Sequence, residues 1–319
     1  MLMPAALGLV VMYMVSFFLV LGGGEWVFIW MGLEINMISF ISLVSNKFSS
    51  TSMEVMFKYF FIQSASSVIF LGSVYWDMGY NISICVMMMK LGLGPFYFWV
   101  PSVMNGLSWV SCYVLATFQK MLPLYMLSMF IHKVVWLYSF FSLFVGAMGA
   151  FNSSSLKSLM AFSSVNQGGW MLISMMVSQK LLLLYVLLYM ILLLPFFMYL
   201  NKMKLGSFLD IAVNKGGIKF FLYLFNIGGL PPMLGFFLSV VVLFYVLSYD
   251  ILMALFLILS SVLMLYVYVR MMFDSLLSAG QVFSMGAYKV DGITESFTLF
   301  LNLLGVLMIG GFVYFCDLW

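Results

Sequence analysis

The sequence contains few charged residues: Asp, Glu, Lys and Arg make up only 7% of its 319 positions. A soluble domain carries about 25%, so this shortage excludes an ordinary water-exposed surface. The net charge is only +3 and the basic residues are scattered, which argues against a face that binds nucleic acid. Hydrophobic residues are abundant, at 65% of the chain. We therefore predict a membrane protein and count its apolar segments.

Histidine and cysteine are also scarce. The single histidine, His132, cannot supply the paired axial ligands of a membrane haem protein. Cys85, Cys112 and Cys316 lie far apart in apolar surroundings, without the paired spacing of a zinc site or a disulfide framework. No glycine-rich phosphate loop follows a strand. We therefore expect no metal, no cofactor and no redox chemistry in this chain.

Eleven apolar segments are long enough, at roughly 20 residues, to cross a bilayer as helices. The first has no basic region before it and runs almost directly into the second, so we expect a retained span and not a cleaved signal. The ninth is too long for one straight crossing and contains glycines and prolines, which predict a broken helix. The segments are residues 4–21, 24–44, 55–76, 80–100, 108–130, 134–151, 157–177, 180–200, 218–247, 250–272 and 297–315.

Basic residues in the loops predict the orientation of the chain. If successive loops alternate between the two sides, nine basic residues share the side of the N-terminus and two, Lys133 and Lys180, lie on the other. The positive-inside rule then places the N-terminus inside, which in an organelle is the matrix, and an odd number of spans places Trp319 outside. The nine are Lys47, Lys58, Lys157, Lys202, Lys204, Lys215, Lys219, Arg270 and Lys289.

Helix breakers occur at corresponding places in two groups of five spans. Such a pattern is typical of inverted repeats with an ion or substrate pathway between them, although glycine and proline are also frequent in membrane helices generally. We predict a first repeat over residues 1–133, a second over 134–272, and a loop with a final helix over 273–319. The breaks are Gly92, Gly94 and Pro95 in the fourth span, and Gly229, Pro231 and Pro232 in the ninth.

Three ionisable side chains lie well inside predicted spans: Glu34, Lys90 and Lys120. Desolvation drives an isolated group toward its neutral form, whereas a neighbouring opposite charge or water favours the charged form. Moving one charge can therefore make another bind or release a proton. We predict a proton relay, in which Glu34 is the natural partner of Lys90. The alternative is a structural ion pair that only fixes helix packing.

A second group of polar residues could extend such a relay. Lys58 lies near the start of the third span, where its side chain can reach the headgroups, and His132 adjoins Lys133 at a predicted helix end. The seventh span contains a polar run that could either conduct protons through water or bond neighbouring helices. This run includes Ser163, Ser164, Asn166 and Gln167.

These residues lie in stretches that resemble the antiporter-like membrane subunits of respiratory complex I, the NADH:ubiquinone oxidoreductase. The resemblance covers most of the chain in order. The matching stretches are WMGLEINMISF at residues 30–40, KYFFIQSASS at 58–67, KLGLGPFYFWVPSVMNGLSW at 90–109, FQKMLPL at 118–124, LMAFSSVNQGGW at 159–170 and GGLPPMLGFF at 228–237.

The resemblance implies an all-α polytopic protein of the mitochondrial inner membrane. It further implies that Glu34 and Lys90 form the first half-channel and that Lys120 passes protons between the two halves. The implied partners are other membrane-arm subunits, including a neighbouring antiporter-like subunit, and lipids such as cardiolipin. NADH, FMN, the iron–sulfur clusters and ubiquinone would bind other subunits.

Two positions depart from the pattern of that family. Ser239 stands where a lysine commonly follows the Gly-Leu-Pro-Pro motif, and Gln167 stands where a histidine is frequent. Proton exit would then depend on water and hydroxyl groups, or on a charge from a neighbouring subunit, or this chain would conduct poorly. A proton-translocating subunit is the function we expect. The alternatives are a stand-alone cation/proton antiporter and a structural spacer.

Overall fold

A computed structural model describes residues 4–45, 50–76, 79–204, 217–231, 233–278 and 305. Within them the chain is helical and has no strand, which confirms the predicted all-α class. Pro232 and most of the predicted span 297–315 lie outside the described residues. The helices are α1 (Pro4–Gly22), α2 (Trp26–Val44), α3 (Ser50–Tyr75), α4 (Tyr80–Leu91), α5 (Trp99–Gly106), α6 (Trp109–Ala116), α7 (Phe118–Met129), α8 (Val134–Phe151), α9 (Leu156–Val177), α10 (Gln179–Met203), α11 (Gly217–Gly228), α12 (Leu234–Leu247) and α13 (Ile251–Ser278).

Long apolar runs form these helices because backbone hydrogen bonds must be satisfied inside a membrane-spanning segment. In the described residues, five helices are each long and apolar enough to cross a membrane, and a sixth crossing is formed if the bent pair around residues 80–106 is counted as one. The first ten predicted spans all overlap described helices. The total of eleven spans stays a prediction.

The predicted break in the fourth span is present. A short 3₁₀ helix, Gly94–Phe96, separates α4 from α5, and the chain bends by 93° there. The ninth predicted span is likewise divided into α11 and α12.

The fifth predicted span, residues 108–130, is not continuous as predicted. It is interrupted at Thr117, between α6 and α7. The Thr117 hydroxyl donates to the Tyr113 carbonyl oxygen at 2.7 Å, an interaction that competes with regular helix. Pro123 inside α7 has no N–H to donate, so the carbonyl oxygen four residues earlier lacks its usual helical donor. A threonine break carries a weaker sequence signal than glycine or proline.

The chain divides into two compact units, Met1–Ser142 and Leu143–Trp319, with the boundary inside α8. In the first unit α1 packs on α2, α2 on α3, and α4 on both α3 and α7. In the second unit α9 packs on α10 and α12, while α11 packs on α10 and α13. The predicted boundary at residue 133 and the inverted relation of the repeats stay predictions.

Candidate functional site: two polar cavities beside broken helices

The break after α4 is built from two left-handed glycines. Gly92 has φ 66° and Gly94 has φ 63°, a conformation that costs other residues about 1–2 kcal/mol. A Cβ on Gly92 would also lie 2.2 Å from Val100 Cγ2. The Trp99 indole N–H donates to the Met89 carbonyl oxygen at 3.1 Å, which closes the bend. The break therefore ends α4 one residue after Lys90.

Lys90 lies in the last turn of α4, with only 6% of its surface exposed. The Gln63 side chain donates to the Lys90 carbonyl oxygen at 3.1 Å, which joins α3 to the end of α4. The C-terminal end of a helix favours a positive charge. The local structure thus places a buried ammonium group at an end of a helix that stabilises it.

Glu34 lies half-buried on α2. Its direct partner is Ser67, whose hydroxyl donates to Glu34 Oε1. No ion pair joins Glu34 to Lys90, whereas Lys58 pairs with Glu54 on α3. The carboxylate therefore has a serine as its direct partner, and the part of Glu34 in a relay with Lys90 stays a prediction.

Lys120 lies in the first turn of α7 and is 5% exposed. Its backbone N–H donates to the Thr117 carbonyl oxygen at 3.0 Å, so the interruption at Thr117 fixes where α7 begins. Without that interruption Lys120 would lie in the middle of a continuous helix. The break brings Lys120 to the N-terminal end of a helix, where the helix dipole disfavours a positive charge, whereas Lys90 lies at a C-terminal end that favours one.

Lys90 and Lys120 line the same small cavity in the first unit. Its volume is about 20 Å³, and about 10–15 Å³ is enough to hold one water molecule. Glu34 does not line it. The wall consists of Leu33, Asn36, Met37, Tyr59, Gln63, Lys90, Leu91, Trp99, Val100, Leu115, Gln119, Lys120, Leu122 and Pro123.

Gln119 joins the polar side chains of this cavity into one network. Its amide donates to Asn36 Oδ1 at 2.8 Å and lies 3.3 Å from the Tyr13 hydroxyl. Its carbonyl oxygen accepts from the Tyr59 hydroxyl at 3.0 Å. Tyr13, Asn36 and Tyr59 are all buried. Part of the cavity wall, made by Asn36, Tyr59 and Gln119, is therefore polar and already hydrogen-bonded, although it lies within an apolar bundle.

Sequence reasoning did not identify Tyr13, Tyr59, Gln63 or Ser67 as members of the site. The last three follow one another at four-residue spacing, which places them on one face of a helix. That spacing is a usable signal. Tyr13 carries no such sequence signal, because its contact with Gln119 spans 106 residues of sequence.

Two of the secondary candidates lie outside the cavity. The Lys58 side chain is 48% exposed and pairs with Glu54 one turn earlier, with its Nζ 2.5 Å from Glu54 Oε1. His132 is exposed in the turn before α8, where its Nδ1 accepts from the Val134 backbone N–H at 3.4 Å. Their proposed part in a proton path stays a prediction.

The second unit contains the break between α11 and α12. Gly229, the residue after the end of α11, has φ 72°. The Asn226 side chain crosses the break and accepts from the Gly235 backbone N–H at 3.1 Å. A Cβ on Gly235 would lie 1.8 Å from the Asn226 carbonyl oxygen, so the two segments approach as closely as only glycine permits.

A larger cavity, of about 250 Å³, lies beside this break. Gln167 and Ser239, the two positions predicted to depart from the family pattern, both line it. The Gln167 carbonyl oxygen accepts from Tyr185, and the Ser239 hydroxyl donates to the Phe236 carbonyl oxygen at 2.8 Å. The other polar lining residues are Asn166, Trp170, Tyr185, Tyr189, Ser261 and Tyr268.

Ser163 and Ser164 are buried in α9 but do not line this cavity. Their hydroxyls donate to the carbonyl oxygens of Met160 and Ala161, at 2.9 and 2.8 Å. Ser163 also hydrogen-bonds the side chain of Tyr268, which lines the cavity. The polar run of the seventh span therefore divides: Asn166 and Gln167 line the cavity, whereas its serines do not. Among the described residues, no cluster of three or more His, Cys, Asp or Glu side chains could hold a metal ion.

Residues 78–264 of this chain match the family described as NADH:quinone oxidoreductase/Mrp antiporter, TM. The chain is 37% identical over 236 residues to NADH-ubiquinone oxidoreductase chain 2 of Anopheles gambiae, covering 68% of this chain and 69% of that protein. It is 33% identical over 314 residues to the chain 2 protein of Aedes aegypti, covering 91% and 92% of the two chains.

Solved structures resemble this fold at low sequence identity. A chain of respiratory complex I from Thermus thermophilus, with bound aureothin, matches with a TM-score of 0.78 at 18% identity and covers 94% of this chain and 77% of its own. A chain of the Mrp complex from Dietzia sp. DQ12-45-1b matches with a TM-score of 0.68 at 14% identity, covering 82% and 59%. At these identities the likeness concerns the fold.

Proposed function

Since this chain belongs to the NADH-ubiquinone oxidoreductase chain 2 family, the membrane subunits of respiratory complex I, we propose that protons pass through it by way of Lys90 and Lys120. The observation that carries the proposal is the cavity that both lysines line. It has room for water, which can accept a proton from one ammonium group and give one to the other amine.

Glu34 controls the first step in this proposal. A carboxylate charge near Lys90 favours the charged lysine, and its removal favours release of the proton. Because Glu34 bonds Ser67 and not Lys90, a small movement of α2 against α4, which carries Lys90, changes the distance between the two charges without breaking a direct ion pair. The lysine proton then moves through the cavity toward Lys120.

We place the chain in the mitochondrial inner membrane, with other membrane-arm subunits as partners. The chain 2 relatives and the fold support both assignments. We further propose that the N-terminus faces the matrix and the C-terminus the intermembrane space, that the neighbours include an antiporter-like subunit, and that cardiolipin covers part of the apolar surface. Electron transfer from NADH to ubiquinone belongs to other subunits in this proposal.

The test is Lys90→Met in the assembled complex. We expect electron transfer with an uncoupler to continue while fewer protons cross the membrane per NADH oxidised. Lys133→Met is the matched control. Lys133 is exposed in the turn before α8, so this variant removes one positive charge outside the cavity. An unchanged proton stoichiometry in Lys90→Met, with normal assembly, would reject the relay and leave a structural spacer.

The spacer is the second candidate because the cavity of the second unit is lined by neutral residues only, within the part of the chain that is described. A stand-alone antiporter would be active as an isolated chain. Reconstituting the chain alone and measuring cation/proton exchange separates that function from the other two.

A further inference from the structure

The cavity of the second unit contains a hydrogen-bonding group whose partner is not supplied by the described residues. Asn166 is 2% exposed, and its Oδ1 is buried without a hydrogen-bond partner there. An unsatisfied buried polar atom is destabilising, so native proteins normally satisfy it with protein or with bound water. Asn166 lines the cavity of about 250 Å³.

Two serines in the same wall already donate their hydroxyl protons to backbone carbonyl oxygens. Ser239 donates to the Phe236 carbonyl oxygen and Ser261 to the Ile258 carbonyl oxygen, both at 2.8 Å. Their remaining lone pairs can only accept. Together with Asn166 Oδ1, which lacks a donor among the described residues, these groups can accept hydrogen bonds from a guest molecule.

The end of α11 adds a preference for positive charge. Gly228 and Gly229 line the cavity, and the last carbonyl groups of a helix carry a partial negative charge. The backbone of Gly229 lies close to Ser239, because a Cβ on Gly229 would lie 3.6 Å from Ser239 Oγ. A guest near Ser239 is therefore close to the negative end of this helix.

We propose that this cavity binds a cluster of water molecules, anchored by Asn166 Oδ1 and Ser239 Oγ, which carries protons past the second helix break without a titratable side chain. About 10–15 Å³ holds one water, so the volume admits several, and the polar wall gives them partners. Each transfer breaks one O–H bond of a donor water and forms one on its neighbour, so that no group of the chain is consumed. Asn166 and Ser239 are positioning residues in this scheme.

This inference rests on the proposed proton path, and the two can fail separately. The test compares Lys90→Met, Asn166→Leu and the double variant in the assembled complex, with protons translocated per NADH as the readout. Leucine has nearly the shape of asparagine but cannot bond water. If both residues serve one path, Asn166→Leu lowers the stoichiometry as much as Lys90→Met does, and the double variant lowers it no further.

Two more variants exclude a purely structural effect. Asn166→Ser replaces the amide with a hydroxyl that can still bond water and enlarges the space for it, so this variant should retain most of the stoichiometry. Leu172→Met, on the same helix and buried outside the cavity wall, should behave as the unsubstituted protein. If Asn166→Leu does not assemble, Ser239→Ala tests the second anchor and should give a partial loss.

The outcomes are distinct. A loss in Lys90→Met without a loss in Asn166→Leu overturns this inference and leaves the proposed function standing. No loss in either variant overturns the proposed function. A high-resolution density map of the complex should show ordered water within hydrogen-bond distance of Asn166 Oδ1 and Ser239 Oγ. A lipid chain or apolar side chain filling the cavity would overturn the inference directly.

Discussion

The Gln119 amide donates to Asn36 Oδ1 at 2.8 Å, which links the helix that carries Lys120 to the helix that carries Glu34. The two residues are 83 positions apart in sequence, so only the folded first unit brings them together. The Tyr59 hydroxyl donates to the same glutamine from α3. Movement of any one of these helices is therefore transmitted to the wall of the lysine cavity.

The first prediction concerns this link. Asn36→Leu removes the acceptor of the Gln119 amide. We expect the loss of this hydrogen bond to destabilise the attachment of α7 by about 1 kcal/mol. The measurement is hydrogen exchange of the α7 backbone in the purified complex. A loss of that size corresponds to an increase of about five-fold in the exchange rate of the α7 backbone amides. Met37→Leu, on the same helix as Asn36, is the control. Equal exchange in the two variants would contradict the link.

The second prediction concerns the break beside Lys90. Gly92→Ala places a side chain on a residue with φ 66° and brings it against Val100. We expect a loss of at least about 1–2 kcal/mol of stability from the backbone conformation alone, seen as reduced yield and heat resistance of the assembled complex. Gly8→Ala is the control, since a Cβ there meets nothing within 4 Å.

The clash and the backbone strain at Gly92 can be separated. Adding Val100→Ala removes the atom that the new methyl group would meet but leaves φ unchanged. The double variant should therefore recover only part of the stability. Full recovery would show that the left-handed conformation does not matter, and normal assembly of Gly92→Ala would contradict both causes.

The sequence predicts features whose causes are local. Apolar length identifies the helices, because a membrane-crossing helix satisfies its own backbone. Glycine and proline mark the breaks at Gly92 and Gly229, where φ is positive. The interruption at Thr117 is missed because a threonine is compatible with helix and acts here through one side-chain hydrogen bond.

Features that depend on two distant segments were not predictable in the same way. Glu34 and Lys90 have opposite charges, which favours a direct pair, but the fold gives the carboxylate to Ser67 instead. Tyr13 reaches the lysine cavity only through its contact with Gln119. Periodicity assigns a residue to a face of its helix, whereas the neighbour of that face is decided by packing.

The third prediction tests Ser67. Its hydroxyl lies within hydrogen-bond distance of Glu34 Oε1 and of the Ser64 carbonyl oxygen, and one proton can serve only one acceptor fully. Ser67→Ala should leave Glu34 without this donor and lower the protons translocated per NADH, by less than Glu34→Gln does. The measurement uses the assembled complex with electron transfer recorded in parallel.

Ser66→Ala is the matched control for Ser67→Ala. Ser66 is equally buried and also donates to its own helix, to the Gln63 carbonyl oxygen at 2.7 Å. It should therefore keep the normal stoichiometry. If Glu34→Gln lowers the stoichiometry and Ser67→Ala does not, the serine is not the partner that controls the carboxylate.

The last prediction concerns Asn226, which joins the two parts of the second broken helix. Its side chain accepts from the Gly235 N–H, and Asn226→Leu would leave that buried donor without a partner. Such a loss costs about 1–3 kcal/mol, so we expect less assembled complex and a lower temperature of inactivation. Asn201→Leu, exposed at the end of α10, should change neither. Asn226→Ser can restore an acceptor only through a shorter side chain, so recovery by serine would show that water completes the bond to Gly235.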